Sequence, residues 1–229
     1  MNSMQVPKFL GPALPLPKPQ TGLQAFAVGT DSDEVASFAL ATQLETHWCW
    51  ASVAQSISQF RGQIVTQVEV ATYHIQSGGQ TFTCDLPPER KDEAQGVSCS
   101  INSCDTACNG FHSLKTVLQE RGRFSCSLAE NSNVSWSNIK DEVRVRRSPV
   151  PCRIGWFVGG QPKGGHFVCI FGWAIDAAGD KHVFVYDPME PGGFTGAPAN
   201  RQEMLFDDFL HRYPSLSAVG RSTHAYAVS

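Results

Sequence analysis

The sequence predicts an α+β fold, with helices in the first part and an antiparallel sheet in the second, and three observations point to it. Up to about residue 148 the apolar positions recur at helical spacing, whereas beyond Pro149 they gather in β-branched and aromatic runs. Short turns rich in Gly and Asp divide those runs, which suits hairpins. With 229 residues, 41% of them hydrophobic and 17% charged, the chain is long enough to bury one ordinary core.

Taken in order, residues 1–22, "MNSMQVPKFLGPALPLPKPQTG", carry prolines that impose extended geometry, and read as a tail or pro-segment ahead of one domain over 23–229. The stretch lacks the basic and apolar regions of a secretory signal. "EVASFALAT" is expected as a strand leading to Gln43. From Cys49 onward, Trp50, Val53, Ala54, Ile57 and Phe60 fall on one helical face, with Ser52, Gln55, Ser56 and Gln59 turned away. Further helices are expected over 65–76, over 110–122, and from an N-cap at Ser135 or Ser137. In the β half, about 149–229, strands are expected at 150–158, 166–175 and 182–187. "RQEMLFDDFLHRY" reads as a helix and "STHAYAVS" as a closing edge strand. A cleft is expected where the helical and β lobes meet.

A net charge of -3 without a basic stripe argues against nucleic acid or an anionic membrane as the partner. The longest apolar runs, such as "HFVCIFGWAI", fall well short of the roughly 20 residues that span a bilayer. Eight cysteines are many for a reduced compartment. Cys84, Cys99, Cys104 and Cys108 crowd one polar loop, where disulfides, free thiols and a zinc site all stay open, although the spacing does not make two C-x2-C knuckles. Cys126, Cys152 and Cys169 read as small buried hydrophobes or occasional pairing partners. Such cysteines favour secretion, by a route without a classical signal peptide; the missing signal leaves cytoplasmic as the alternative.

Cys49 stands between two tryptophans, where an irregular lead-in gives way to helical periodicity. A helix N-terminus and a nearby imidazolium both favour thiolate over thiol. His166, which follows Gly164 and Gly165 and opens an apolar strand, is the histidine best placed to supply the second; the glycines are expected to let a substrate backbone approach. Asp187, ending the next strand, is the candidate to orient that ring, with the register of the hairpin undecided and a bulge needed to absorb a mismatch. It also has a plainer reading as the turn-former of Asp187-Pro188. The Cys49 amide and the Gln43 side chain are candidate donors to an oxyanion.

These residues carry a resemblance. Gln43 six residues before the cysteine of "WCWAS", a distant Gly-Gly-His opening an apolar strand, and then Asp-Pro resemble the papain-like cysteine peptidases. Within them the chain is similar to the small bacterial branch of avirulence-type effector peptidases, to which "CNG", "VPCRIGW" and "THAY" extend the likeness over about 35–229. The chain departs from the plant papains in lacking C-G-S ahead of the nucleophile and in offering Asp187 where they use Asn. The resemblance implies an endopeptidase that needs no cofactor and acts on protein or peptide, and a monomer is expected. The tail reads first as a disordered leader with no role; the other reading lays its "VPKF" extended in a peptidase groove, to be cut by the protein itself. Two rival functions share the sequence: a thiol acyltransferase of transglutaminase type, and an inactive papain-like binding module.

Overall fold

The computed structural model describes residues 31–77, 108–189, 198–199, 201–214 and 219–229. The proline-rich tail, and Cys84, Cys99 and Cys104, lie outside them.

Helix α1 (Cys49–Phe60) begins at the predicted residue and is buried nearly all round. Trp50, Val53, Ala54 and Ile57 face the core as expected, each large side chain contributing about 1.5–3 kcal/mol by leaving water. Ser52 and Ser56 do not face solvent: both are buried, and their hydroxyls bond Ala41 and α1's own backbone, which satisfies them against the lead-in chain. Helices α2 (Gln67–Ser77) and α3 (Leu114–Glu120) pack on α1. The Ser113 hydroxyl caps α3, and Ser135 rather than Ser137 caps α4 (Trp136–Lys140), which runs into a π-helical turn at Asp141–Val145.

Among the described residues seven strands form one antiparallel sheet. They are β1 (Asp31–Glu34), β2 (Phe124–Glu130), β3 (Val150–Val158), β4 (Gln161–Ile175), β5 (Lys181–Tyr186), β6 (Arg201–Leu205) and β7 (Val219–Val228). The order is β2-β7-β3-β4-β5-β6, with β1 joining β4 at Gly172–Ile175, beyond the stretch that β3 covers.

Four expectations are corrected here. The apolar stretch after Glu34 is not a strand, apart from an isolated bridge between Ala41 and Pro198. Strand β2 was not foreseen, and it displaces the C-terminal strand from the edge: β7 lies between β2 and β3. The segment over 201–213 divides into β6 and a short helix, α5 (Phe206–His211), because its first residues pair with β5. Strand β4 starts at Gln161, since the tight turn uses only Gly159 and Gly160, both at positive φ.

Candidate active site

The cysteine's position is built by a template. The lead-in to α1 lies against Cys108–Gly110, and the two tryptophans flanking Cys49 anchor it: Trp48 Nε1 donates to the Cys108 carbonyl at 2.8 Å and Trp50 Nε1 to the Gly110 carbonyl at 3.0 Å. Between them Asn109 accepts the His47 backbone N–H on its Oδ1 at 3.1 Å and donates from Nδ2 to Thr46 Oγ1 at 3.1 Å. Its carbonyl is 2.8 Å from His47 Nδ1. The Trp-Cys-Trp pattern therefore has a local cause: each indole pays for its burial with an N–H bond, and the pair holds the thiol at the first turn, where backbone amides have no intrahelical acceptor.

His166 comes from β4 and Asp187 from the end of β5. The hairpin pairs Ile175 with Lys181 and, after an irregularity between Ile170 and Gly172, Cys169 with Tyr186. Continued one step, that register sets Asp187 opposite Val168, on the face His166 shares at a spacing of two. The imidazole reaches it diagonally, and His166 Nε2–H donates to Asp187 Oδ1 at 2.6 Å. The two readings of Asp187 are both realised, because the same Oδ1 accepts the Met189 N–H at 2.8 Å in an Asx turn across Pro188. Its other oxygen, Oδ2, accepts the Tyr213 hydroxyl at 2.8 Å, a contact that no local pattern in the sequence announces.

With Nε2 committed to Asp187, Nδ1 is the nitrogen left for Cys49. Burial works against charge on the His166 ring, but the Asp187 carboxylate, by its charge and hydrogen bond, and then the Cys49 sulfur push it up to about 10. Trp156 lies parallel to the ring, with centroids 6.3 Å apart. Cys49 and His166 open on a cavity of about 220 Å³ lined also by Thr46, His47, Phe111, Trp156, Gly164, Gly165 and Met189. Phe111 is 73% exposed and Met189 51% exposed, so large apolar groups rim the opening.

The structure thus brings Cys49, His166 and Asp187 together and treats Gln43 differently. Gln43 is fully buried and its Nε2 donates to the carbonyls of Glu45 at 2.8 Å and Thr46 at 2.9 Å. Both amide hydrogens are taken up by the loop they brace, and Gln43 does not line the cavity. Gly164 and Gly165 line the cavity, and the backbone around them adds its own constraint. A Cβ on Gly165 would lie 2.6 Å from the Arg153 guanidinium, the end of a side chain that crosses beneath it and would have to move aside; Gly164, at φ +141°, adopts a conformation that favours glycine. Cys152 and Cys169 are buried, with burial pushing both thiols up, whereas Cys126 is exposed on edge strand β2. His182, on β5, is half-buried between Asp176 and Glu203.

No protein-family model matches the chain, and no curated protein matches it. Among solved structures it is similar to a recombinant stem bromelain precursor, at 14% identity and a TM-score of 0.41, over 88% of this chain and 70% of that one.

Proposed function

We propose that this chain is a papain-like cysteine endopeptidase. The observation that carries the proposal is the meeting, at one open cavity, of a thiol on the first turn of α1 with an imidazole whose far nitrogen is bound by a buried carboxylate. Cys49 Sγ attacks the carbonyl carbon of a peptide bond, and the negative charge that forms on oxygen is met by the Cys49 N–H at the helix start. His166 delivers its proton to the departing amine, leaving an acyl-enzyme, and then takes a proton from the water that hydrolyses it. Asp187 holds the ring and stabilises its protonated form. Gln43, its amide engaged with the lead-in loop, acts by holding the segment that carries the thiol.

Among the described residues, the cavity walls contain no Lys, Arg, Asp or Glu, which suits an uncharged apolar residue beside the scissile bond. The proline-rich tail is a candidate substrate for self-cleavage, and intact mass of the wild type against Cys49→Ala tests that directly.

The decisive experiment combines alkylation with product analysis. Rapid iodoacetamide labelling of Cys49 at mildly acidic pH, lost in His166→Ala, together with new peptide termini from a peptide library, supports the endopeptidase. Ligation to an added amine in place of hydrolysis would transfer the site to acyl exchange, and ordinary thiol kinetics with no product would leave a binding module.

A further inference from the structure

We infer that Tyr213 is a positioning residue of this site, fixing the Asp187 carboxylate so that its Oδ1 stays on the His166 ring. The inference rests on the thiol–imidazole pairing proposed above and extends it by one residue.

Asp187 is only 8% exposed, and a carboxylate so buried needs its lone pairs occupied. Its Oδ1 receives two N–H donors, from His166 at 2.6 Å and from Met189 at 2.8 Å. Its Oδ2 receives the Tyr213 hydroxyl at 2.8 Å. The Met189 amide and the hydroxyl grip opposite oxygens, which fixes the plane of the carboxylate; with Oδ2 released, the group can turn about its last bond and draw Oδ1 away from Nε2.

The seat of the tyrosine is itself built to hold one position. Tyr213 is 3% exposed, and its N–H donates to the Gly220 carbonyl at 3.0 Å. Its ring meets Phe209 edge-on at 5.9 Å and Trp156 at 6.3 Å, the same Trp156 that lies along His166. A Cβ on Gly220 would come within 2.6 Å of the Trp156 ring and 2.7 Å of the Tyr213 carbonyl oxygen, so the backbone there is bare where the two side chains close up. Burial, and then the charge of Asp187, push the phenol well above its ordinary value, so it stays a donor throughout the working range of pH.

The test is a double-mutant cycle read by iodoacetamide alkylation of Cys49, which needs no knowledge of the substrate. Tyr213→Phe keeps the ring and removes the hydroxyl, and should slow alkylation about tenfold, the scale of one hydrogen bond to a charged group. In an Asp187→Ala background the same change should have no further effect. In the wild type, a far-downfield ¹H NMR resonance from the His166 Nε2–H should also shift or broaden on Tyr213→Phe. An unchanged alkylation rate in Tyr213→Phe, or an equal loss with and without Asp187, would overturn the assignment, the second outcome marking a residue that only supports the fold. Alkylation that depends on His166 and obeys the cycle, in a protein that cleaves no peptide, would sink the peptidase and leave the positioning role standing.

Discussion

Two imidazole–carboxylate pairs in this molecule have nearly the same length and opposite consequences. His166 Nε2 lies 2.6 Å from Asp187 Oδ1, and His74 Nδ1 lies 2.7 Å from Glu120 Oε2. They part at the far nitrogen. Behind Asp187 the ring turns its other side to a thiol at an open cavity, whereas His74 Nε2 meets Nδ1 of a second imidazole, His112, at 3.1 Å. Both of those rings pack on Trp50, with centroids 5.5 and 4.8 Å away, and the Glu120 bond ties α2 to α3. Under the proposed function, a histidine held by a carboxylate is a strut or a proton carrier according to its second neighbour, and the carboxylate alone does not distinguish them.

The widest separation should appear when each ring is removed. His166→Ala should lower peptide hydrolysis by roughly 10³ to 10⁴, the scale seen when one member of a nucleophile–base–acid set is lost. His74→Ala should leave the rate within a few-fold and instead lower the melting temperature by several degrees, as expected for about 1–3 kcal/mol from a broken, partly buried network. Hydrolysis assays and thermal melts on the two variants check this, and the same rate loss in both would dissolve the distinction.

The pH profile sharpens it. The folded His166 ring is raised above the ordinary imidazole value of about 6.5, so the stability and thiolate support that come from its protonated form are whole below that pH and are lost as pH rises through about 10. The ratio of Cys49 alkylation rates, wild type over His166→Ala, should stay high through neutrality and fall toward one on the alkaline side. A ratio that collapses below neutrality would mean that Asp187 does not hold the proton on the ring.

A smaller effect belongs to the template. Asn109→Ala removes the side-chain contacts to Thr46 and His47, and should cost about 1–3 kcal/mol in denaturant unfolding, with a loss of rate, because the chain it orders leads directly to Cys49. Glu120→Gln should be the mildest of the set. Its bond to His74 is partly solvated, so the expected change in stability is under about 1 kcal/mol, with hydrolysis unchanged.

Some of this was legible residue by residue. The apolar spacing after Cys49 placed the start of α1 correctly, because helical periodicity is a local property of ten or so residues. The β3–β4 and β4–β5 hairpins were legible from their turn residues. Strand β2 has one signal in the sequence, the alternation of Phe124-Ser125-Cys126-Ser127-Leu128, which the helical spacing around it outweighs. Tyr213 was hidden for a different reason: it stands 26 residues from Asp187, in a segment whose composition reads as helix throughout, and nothing near it in the chain announces a buried hydroxyl. The serines of α1 were misplaced because their hydroxyls look solvated until the chain at Ala41 arrives to bond them.

By itself, the sequence determined what short-range forces decide: a thiol at the beginning of a helix, an apolar strand that carries His166, and an Asp-Pro turn. Only the tertiary structure decided which histidine the thiol meets, how one irregularity in β4 lets Asp187 reach it, which phenol closes the carboxylate's other side, and that the Gln43 amide turns to its own loop. The first three choices depend on pairings across about 20 to 120 residues of chain, where many partners of the same chemical type compete and the winner is set by packing of the whole core rather than by any preference written beside the residue; the Gln43 bonds span only two and three residues, but their geometry follows from how the lead-in is folded against the rest.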